Sequence, residues 1–158
     1  MVEALWRLNL FPKERLPEVA AQALVAGNQS SAWLDLASYD AISTQGIDRA
    51  FELAMTTLGK PPMELREAAI HISRYVAREI FEGRIHPREG AGLILDHIYY
   101  KVDPPDERLG PFCYWADEFD EAGDKIRRQL CEAGIIEASR TLLANDAALK
   151  AGSGPAPL

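Results

Sequence analysis

PMELREAAIHISRYVAREIFEGRIHPREGA, residues 62–91, is the stretch that decides the fold. Leu65, Ala69, Ile72, Val76 and Ile80 recur at helical spacing, and Ile70, Ala77 and Phe81 widen the same apolar face. The spacing predicts a helix over about 62–82 that touches more than one neighbour. Its polar side offers an i,i+4 pair, Arg78 with Glu82, worth roughly 0.2–0.5 kcal/mol. Gly83 breaks the helix. Pro87 opens the next one, with Glu89 in the first turn, where the helix dipole favours negative charge. Ala91, Ile94, Leu95, Ile98 and Val102 continue that helix as a stripe up to Pro104-Pro105. Two helices joined by a short glycine-containing link form an αα-hairpin.

Period-3.6 patterns extend outward in both directions, and period-2 patterns are nearly absent. A helix starts at Leu16-Pro17 and stops at Gly27-Asn28. A short one follows Ser30-Ser31 with Trp33, Leu34 and Ala37. A third begins after Ser43-Thr44, carries Ile47, Phe51, Ala54 and Leu58, and ends at Gly59. Asp124 is placed to cap the last helix, within which Gly134 marks a kink or a close helix contact. Leu5, Leu8 and Phe11 fit a short helix or an extended arm. The expected fold is all-α: a single-domain bundle of six or seven helices over 1–149, joined by short links, with residues 150–158 as a disordered tail.

Composition bounds the function classes. The chain has 158 residues, 47% apolar and 26% charged, the proportions of an ordinary globular protein. It has no run of 18 apolar residues and no signal-peptide pattern, so it is read as cytoplasmic and not membrane-bound. Cys113 and Cys131 are then reduced, small and partly buried, and neither has a CxxC partner for zinc. No segment has a clear basic excess, which argues against nucleic acid as a partner.

Chemistry-bearing motifs are missing. There is no GxxxxGK[ST], GxGxxG, HExxH or GxSxG. His71, His86 and His97 are dispersed. Asp96 and His97 are neighbours on a helix, so their side chains diverge by about 100°. No Glu-x-x-His repeat points to a bundle metal site. No catalytic, cofactor-binding or metal residue is assigned, and the reading leans away from an enzyme.

The turn 81–91 also has the outline of a helix-turn-helix, with Arg84, His86 and Arg88 near the start of its second helix. The rest of that helix is apolar or acidic, unlike a DNA-reading helix. The same turn, EGRIHPREGA at 82–91, resembles one found mid-chain in small all-helical bacterial proteins of unassigned function. In those proteins glycine, a charged residue, Ile and Pro lead to Gly-Ala, and an acidic-aromatic stretch and a final helix follow. The likeness in layout spans about 16–145. It implies an all-helical fold and carries no activity and no functional residue.

One stretch concentrates the charge. Of the net −7, residues 103–121 hold seven carboxylates against one arginine. Phe112, Trp115 and Phe119 fall three and four apart, on one helical face. Two readings stand side by side. In one, this face packs into the core and the carboxylates are solvated. In the other, it is an aromatic-centred docking surface rimmed by negative charge, with Asp106, Glu107, Tyr114, Trp115, Asp117 and Glu118 as partner-binding residues. The spacing does not fit a calcium loop. Trp33, with Tyr39 and Asp40, is read either as core or as part of the same surface.

The leading expectation is therefore a cytoplasmic interaction module, antitoxin-like or immunity-like, that binds a basic protein. The alternatives are a helical enzyme or small-ligand binder gathering residues such as His71, Arg74 and Tyr99, and a helix-turn-helix DNA binder. Pairing with a second copy through the two-flanked fourth helix is also open.

Overall fold

The computed structural model describes residues 1–40 and 46–152, with side chains described through residue 144. Among the described residues there are eight α-helices and no strand. They are α1 (Val2–Arg7), α2 (Leu16–Val25), α3 (Ser31–Ala37), α4 (Ile47–Thr56), α5 (Leu65–Phe81), α6 (Pro87–His97), α7 (Gly110–Glu121) and α8 (Lys125–Gly152). The all-α class is as expected. The count exceeds six or seven because residues 2–7 form a helix and the acidic-aromatic stretch supplies another. Ser43-Thr44 and the end of the expected tail, 153–158, lie outside the described residues.

The chain divides into two compact units, with the break just after Glu64. In the N-terminal unit, α2, α3 and α4 bury Leu16, Ala20, Trp33, Leu36, Ile47, Phe51 and Ala54. Trp33 is a core residue, 3% exposed, and Tyr39 packs on the same cluster while half-buried. Trp6 of α1 meets Phe51 edge-on, with ring centroids 5.0 Å apart. Its indole Nε1 donates to Asp48 at 2.9 Å, and Lys13 pairs with the same carboxylate. Burial alone raises the Asp48 pKa, but the hydrogen bonds from Lys13 and Trp6 outweigh it and hold the carboxyl below its usual range.

The C-terminal unit is organised on α5. Its buried residues, Ala68, Ala69, Ile70, Ile72, Ser73, Val76, Ala77 and Ile80, form the wide face that the spacing predicted, and it packs against both α6 and α8. Leu65 and Phe81, expected on that face, lie at its ends and are 39% and 48% exposed. The Arg140 guanidinium covers the Phe81 ring at 5.8 Å.

The α5–α6 link forms the expected hairpin. Gly83 ends α5 at φ 72°, a left-handed conformation that side chains with a Cβ rarely adopt. The Arg84 N–H then reaches back to the Glu79 carbonyl at 2.8 Å. The Arg84 guanidinium makes two 2.7 Å bonds to the Glu79 carboxylate and also pairs with Glu82. Glu82 therefore pairs with Arg84, beyond the helix end, rather than with Arg78. Gly90 lets the two helices close: a Cβ there would lie 2.5 Å from Ile80 Cγ1.

Helix α6 ends at His97, and a 3₁₀ turn, Tyr99–Lys101, replaces the expected last turn. Ile98 and Val102 are still buried. Helices α7 and α8 form a second hairpin across Ala122-Gly123-Asp124. As expected, Asp124 caps α8, its Oδ1 accepting from the Arg127 N–H at 2.8 Å. Helix α8 buries Cys131, Ile135, Ser139 and Leu142, four, four and three residues apart. The Ser139 hydroxyl is satisfied by the Ile135 carbonyl at 2.9 Å.

Candidate interaction surface

The acidic-aromatic stretch splits into an inner and an outer face of α7. Leu109, Phe112 and Ala116 are fully buried. Trp115 and Phe119 are half-buried. The Trp115 indole lies against the α8 backbone at Gly134, where a Cβ would approach to 2.3 Å. Gly134 thus serves a close helix contact. The Arg128 guanidinium covers Phe119 at 5.7 Å. Phe112, Trp115 and Phe119 therefore pack inward, as in the core reading, and Trp115 has little ring left to offer as an anchor.

Tyr114, Asp117 and Glu121 occupy the opposite stripe, three and four apart, and all are exposed. Tyr114 is 56% exposed and meets Trp115 edge-on at 4.9 Å. Glu118, one turn after Tyr114, is half-buried and accepts from Arg127 of α8 at 2.7 Å.

The carboxylates of the stretch differ in how far their charge is compensated. Asp106 is buried and caps the 3₁₀ turn Glu107–Leu109. It accepts from the Arg108 backbone at 3.1 Å and from the Arg108 guanidinium twice at 2.8 Å, with Arg66 at 3.7 Å. The Arg108 side-chain hydrogen bonds hold its carboxyl below the usual range despite burial. Asp106 is thus occupied within the chain. Asp120 accepts from the Arg88 guanidinium, Nε to Oδ1 at 2.9 Å, which ties α7 to α6 and lowers the Asp120 pKa. Glu118 neutralises Arg127. Asp103, Glu107, Asp117 and Glu121 form no ion pair among the described residues and are exposed.

Of the six residues assigned to the surface from sequence, α7 brings Tyr114, Asp117 and Glu118 together on its outer side. Glu107 is exposed in the turn before the helix, Asp106 is turned inward, and Trp115 is half-covered.

Sequence reasoning placed the start of α8 at Asp124 but missed that its first two turns face solvent. Residues 123–130 are all exposed, including Ile126 at 81% and Leu130 at 62%. These two stand one helical turn apart beside a shallow depression lined by Asp124, Lys125, Ile126, Arg127 and Leu130. The buried series of α8 runs from Cys131 through Ile135 to Leu142, and Ile126 and Leu130 are out of phase with it.

The N-terminal unit has a narrow cleft lined by Glu3, Trp6, Arg7, Glu52, Met55, Thr56, Lys60, Pro61 and Pro62, with a cavity volume of about 30 Å³. A water needs roughly 10–15 Å³ on that measure, so the space is that of two or three waters. The Arg7 guanidinium stacks on Trp6 at 4.9 Å and lies 3.6 Å from Glu52. His71, Arg74 and Tyr99, the residues considered for a ligand site, belong to the other unit. Among the described residues, no group of three or more His, Cys, Asp or Glu is placed to hold a metal. No helix of the described residues is long and apolar enough to cross a membrane.

No protein-family model, curated protein or solved structure matches this chain.

Proposed function

We propose that the protein is an interaction module, antitoxin-like or immunity-like, that binds a basic protein through the outer face of α7. The observation that carries this reading is the stripe Tyr114, Asp117 and Glu121, exposed on a helix whose other aromatics are packed inward. A tyrosine supplies contact area with a polar tip. Exposed carboxylates that form no ion pair among the described residues attract cations of a partner and steer its approach. Glu107 and Glu118 lie at the margins of the same surface. The cytoplasm is the compartment that suits the two free thiols, Cys113 and Cys131.

Affinity capture from the native cell tests the reading. The wild-type chain is expected to retain a basic protein at stoichiometric level and to release it as salt is raised. The double substitution Tyr114→Ala with Asp117→Asn is expected to lose it while the melting temperature stays unchanged. Recovery of no stoichiometric partner, or equal retention by the variant, overturns the proposal.

A further inference from the structure

We infer that the groove between α3 and α4 binds a small zwitterion, an α-amino acid with an aliphatic side chain. The residues that line it all belong to the N-terminal unit, and none belongs to the α7 surface. Its volume is about 260 Å³. That lies just under the roughly 300–1,000 Å³ of sites that take drug-sized molecules, so a smaller ligand fits. Ala32 and Asp35, three apart on α3, form one wall, and Tyr39 follows at the helix end. Arg49, Ala50 and Leu53 form the other wall from one face of α4, with Gly46 at its N-cap. Small residues keep the space open. Ala32 is buried and Ala50 half-buried, so the floor is shallow and apolar. At Gly46 an added Cβ would lie 3.2 Å from the Tyr39 hydroxyl oxygen.

The polar groups give the ligand class. Asp35 lines one wall and Arg49 the other, yet among the described residues they form no ion pair with each other or with any other group. The Tyr39 hydroxyl makes no hydrogen bond among them either. A carboxylate, a guanidinium and a phenol thus line one groove with their hydrogen-bonding capacity unused. Gly46 brings no side chain to cap the first turn of α4, and the positive end of the helix dipole favours an anion beside Arg49. Asp48, the other charge of that turn, is engaged by Trp6 and Lys13 and does not line the groove. A ligand carboxylate is therefore received at Arg49 and an ammonium at Asp35. A simple anion would face Asp35 and a simple cation would face Arg49, whereas a zwitterion pairs with both. Ala32, Ala50 and Leu53, the last 57% exposed, offer contact to an aliphatic side chain.

The test titrates the full chain with L-leucine, with 4-methylpentanoate, which lacks its amine, and with isopentylamine, which lacks its carboxylate. NMR follows the methyl groups of Ala50 and Leu53 and the ring of Tyr39. Leucine is expected to shift all three. Each truncated ligand is expected to bind about tenfold or more weakly, as loss of one charged hydrogen-bonding group would cause. Arg49→Gln should weaken leucine and leave isopentylamine unchanged. Asp35→Asn should weaken leucine and leave 4-methylpentanoate unchanged. Both residues are exposed, so the melting temperature should not move. Equal binding of the three ligands would mean apolar contact alone and overturns the inference. Binding of none among L-leucine, L-valine and L-alanine overturns it, as do shifts that spare Tyr39, Ala50 and Leu53. None of these outcomes bears on the α7 reading, which the capture experiment tests separately.

Discussion

The indole of Trp115 rests on the backbone of α8 at Gly134, so closely that a Cβ added there would lie 2.3 Å from Cε2 and 2.5 Å from Cδ2. A rigid two-ring side chain has no flexible end to withdraw, so the contact demands glycine. It brings α7 and α8 to a short separation, and it takes Trp115 out of the solvent-facing surface.

Gly134→Ala is therefore expected to destabilise the protein by about 1–3 kcal/mol, the usual cost of overpacking a tight contact. Helix propensity taken alone predicts the opposite, since alanine in a helix interior is favoured over glycine by roughly 1 kcal/mol. Urea denaturation measures the sign directly. Restoration of stability by Trp115→Leu in the Gly134→Ala background would show that the indole is the clashing group.

Asp106 should contribute acid sensitivity. Its folded pKa lies below the unfolded value of 3.8, because of the Arg108 hydrogen bonds. A carboxylate lowered in this way adds stability above the unfolded value and loses it as pH falls through the folded one. Asp106→Asn should thus cost stability at pH 7, roughly 2 kcal/mol for a charge-assisted hydrogen-bond set. Variant and wild type should converge as pH falls through the folded value. Thermal melts of both across pH 2–7 check this.

The Arg88–Asp120 pair joins α6 to α7 in bidentate geometry, but Asp120 is 58% exposed. Solvent screens such a pair, so a double-mutant cycle with Arg88→Gln and Asp120→Asn should give a coupling of about 0.2–1 kcal/mol. Half-molar salt should reduce it. A coupling well above that range would indicate that the pair is better shielded than its exposure implies.

Cys113 should be a poor nucleophile. Burial, aided by the Asp117 charge, pushes its thiol up to about 11. Alkylation by iodoacetamide at pH 7.5 is expected to be far slower than for an unfolded cysteine and to accelerate as pH approaches that value. Asp117→Asn should quicken it modestly. Fast labelling of native Cys113 at neutral pH would contradict the structure.

How much of this could be read from the sequence alone depends on the range of the interactions. The hairpin of α5 and α6 was legible because its determinants are local. Apolar residues at helical spacing define the faces, Gly83 ends one helix at a left-handed φ, and Pro87 starts the next. Asp124 at the start of α8 was legible for the same reason, as its cap bond spans three residues.

Local pattern could not decide which acidic and aromatic residues face outward. Phe112, Tyr114 and Trp115 lie within four residues, and the inward packing of Trp115 depends on α8 offering a glycine at 134. Asp106 and Asp117 look alike in sequence. One is buried between Arg108 and Arg66, and the other faces solvent. Ile126 and Leu130 look like core until the packing of α8 shows that its buried series starts at Cys131. The sequence by itself determined the all-helical class, the α5–α6 hairpin and the cap of α8, because backbone preference and helical period act over a few residues. Only the tertiary structure decided the surface, because exposure is set by elements distant in sequence packing against one another.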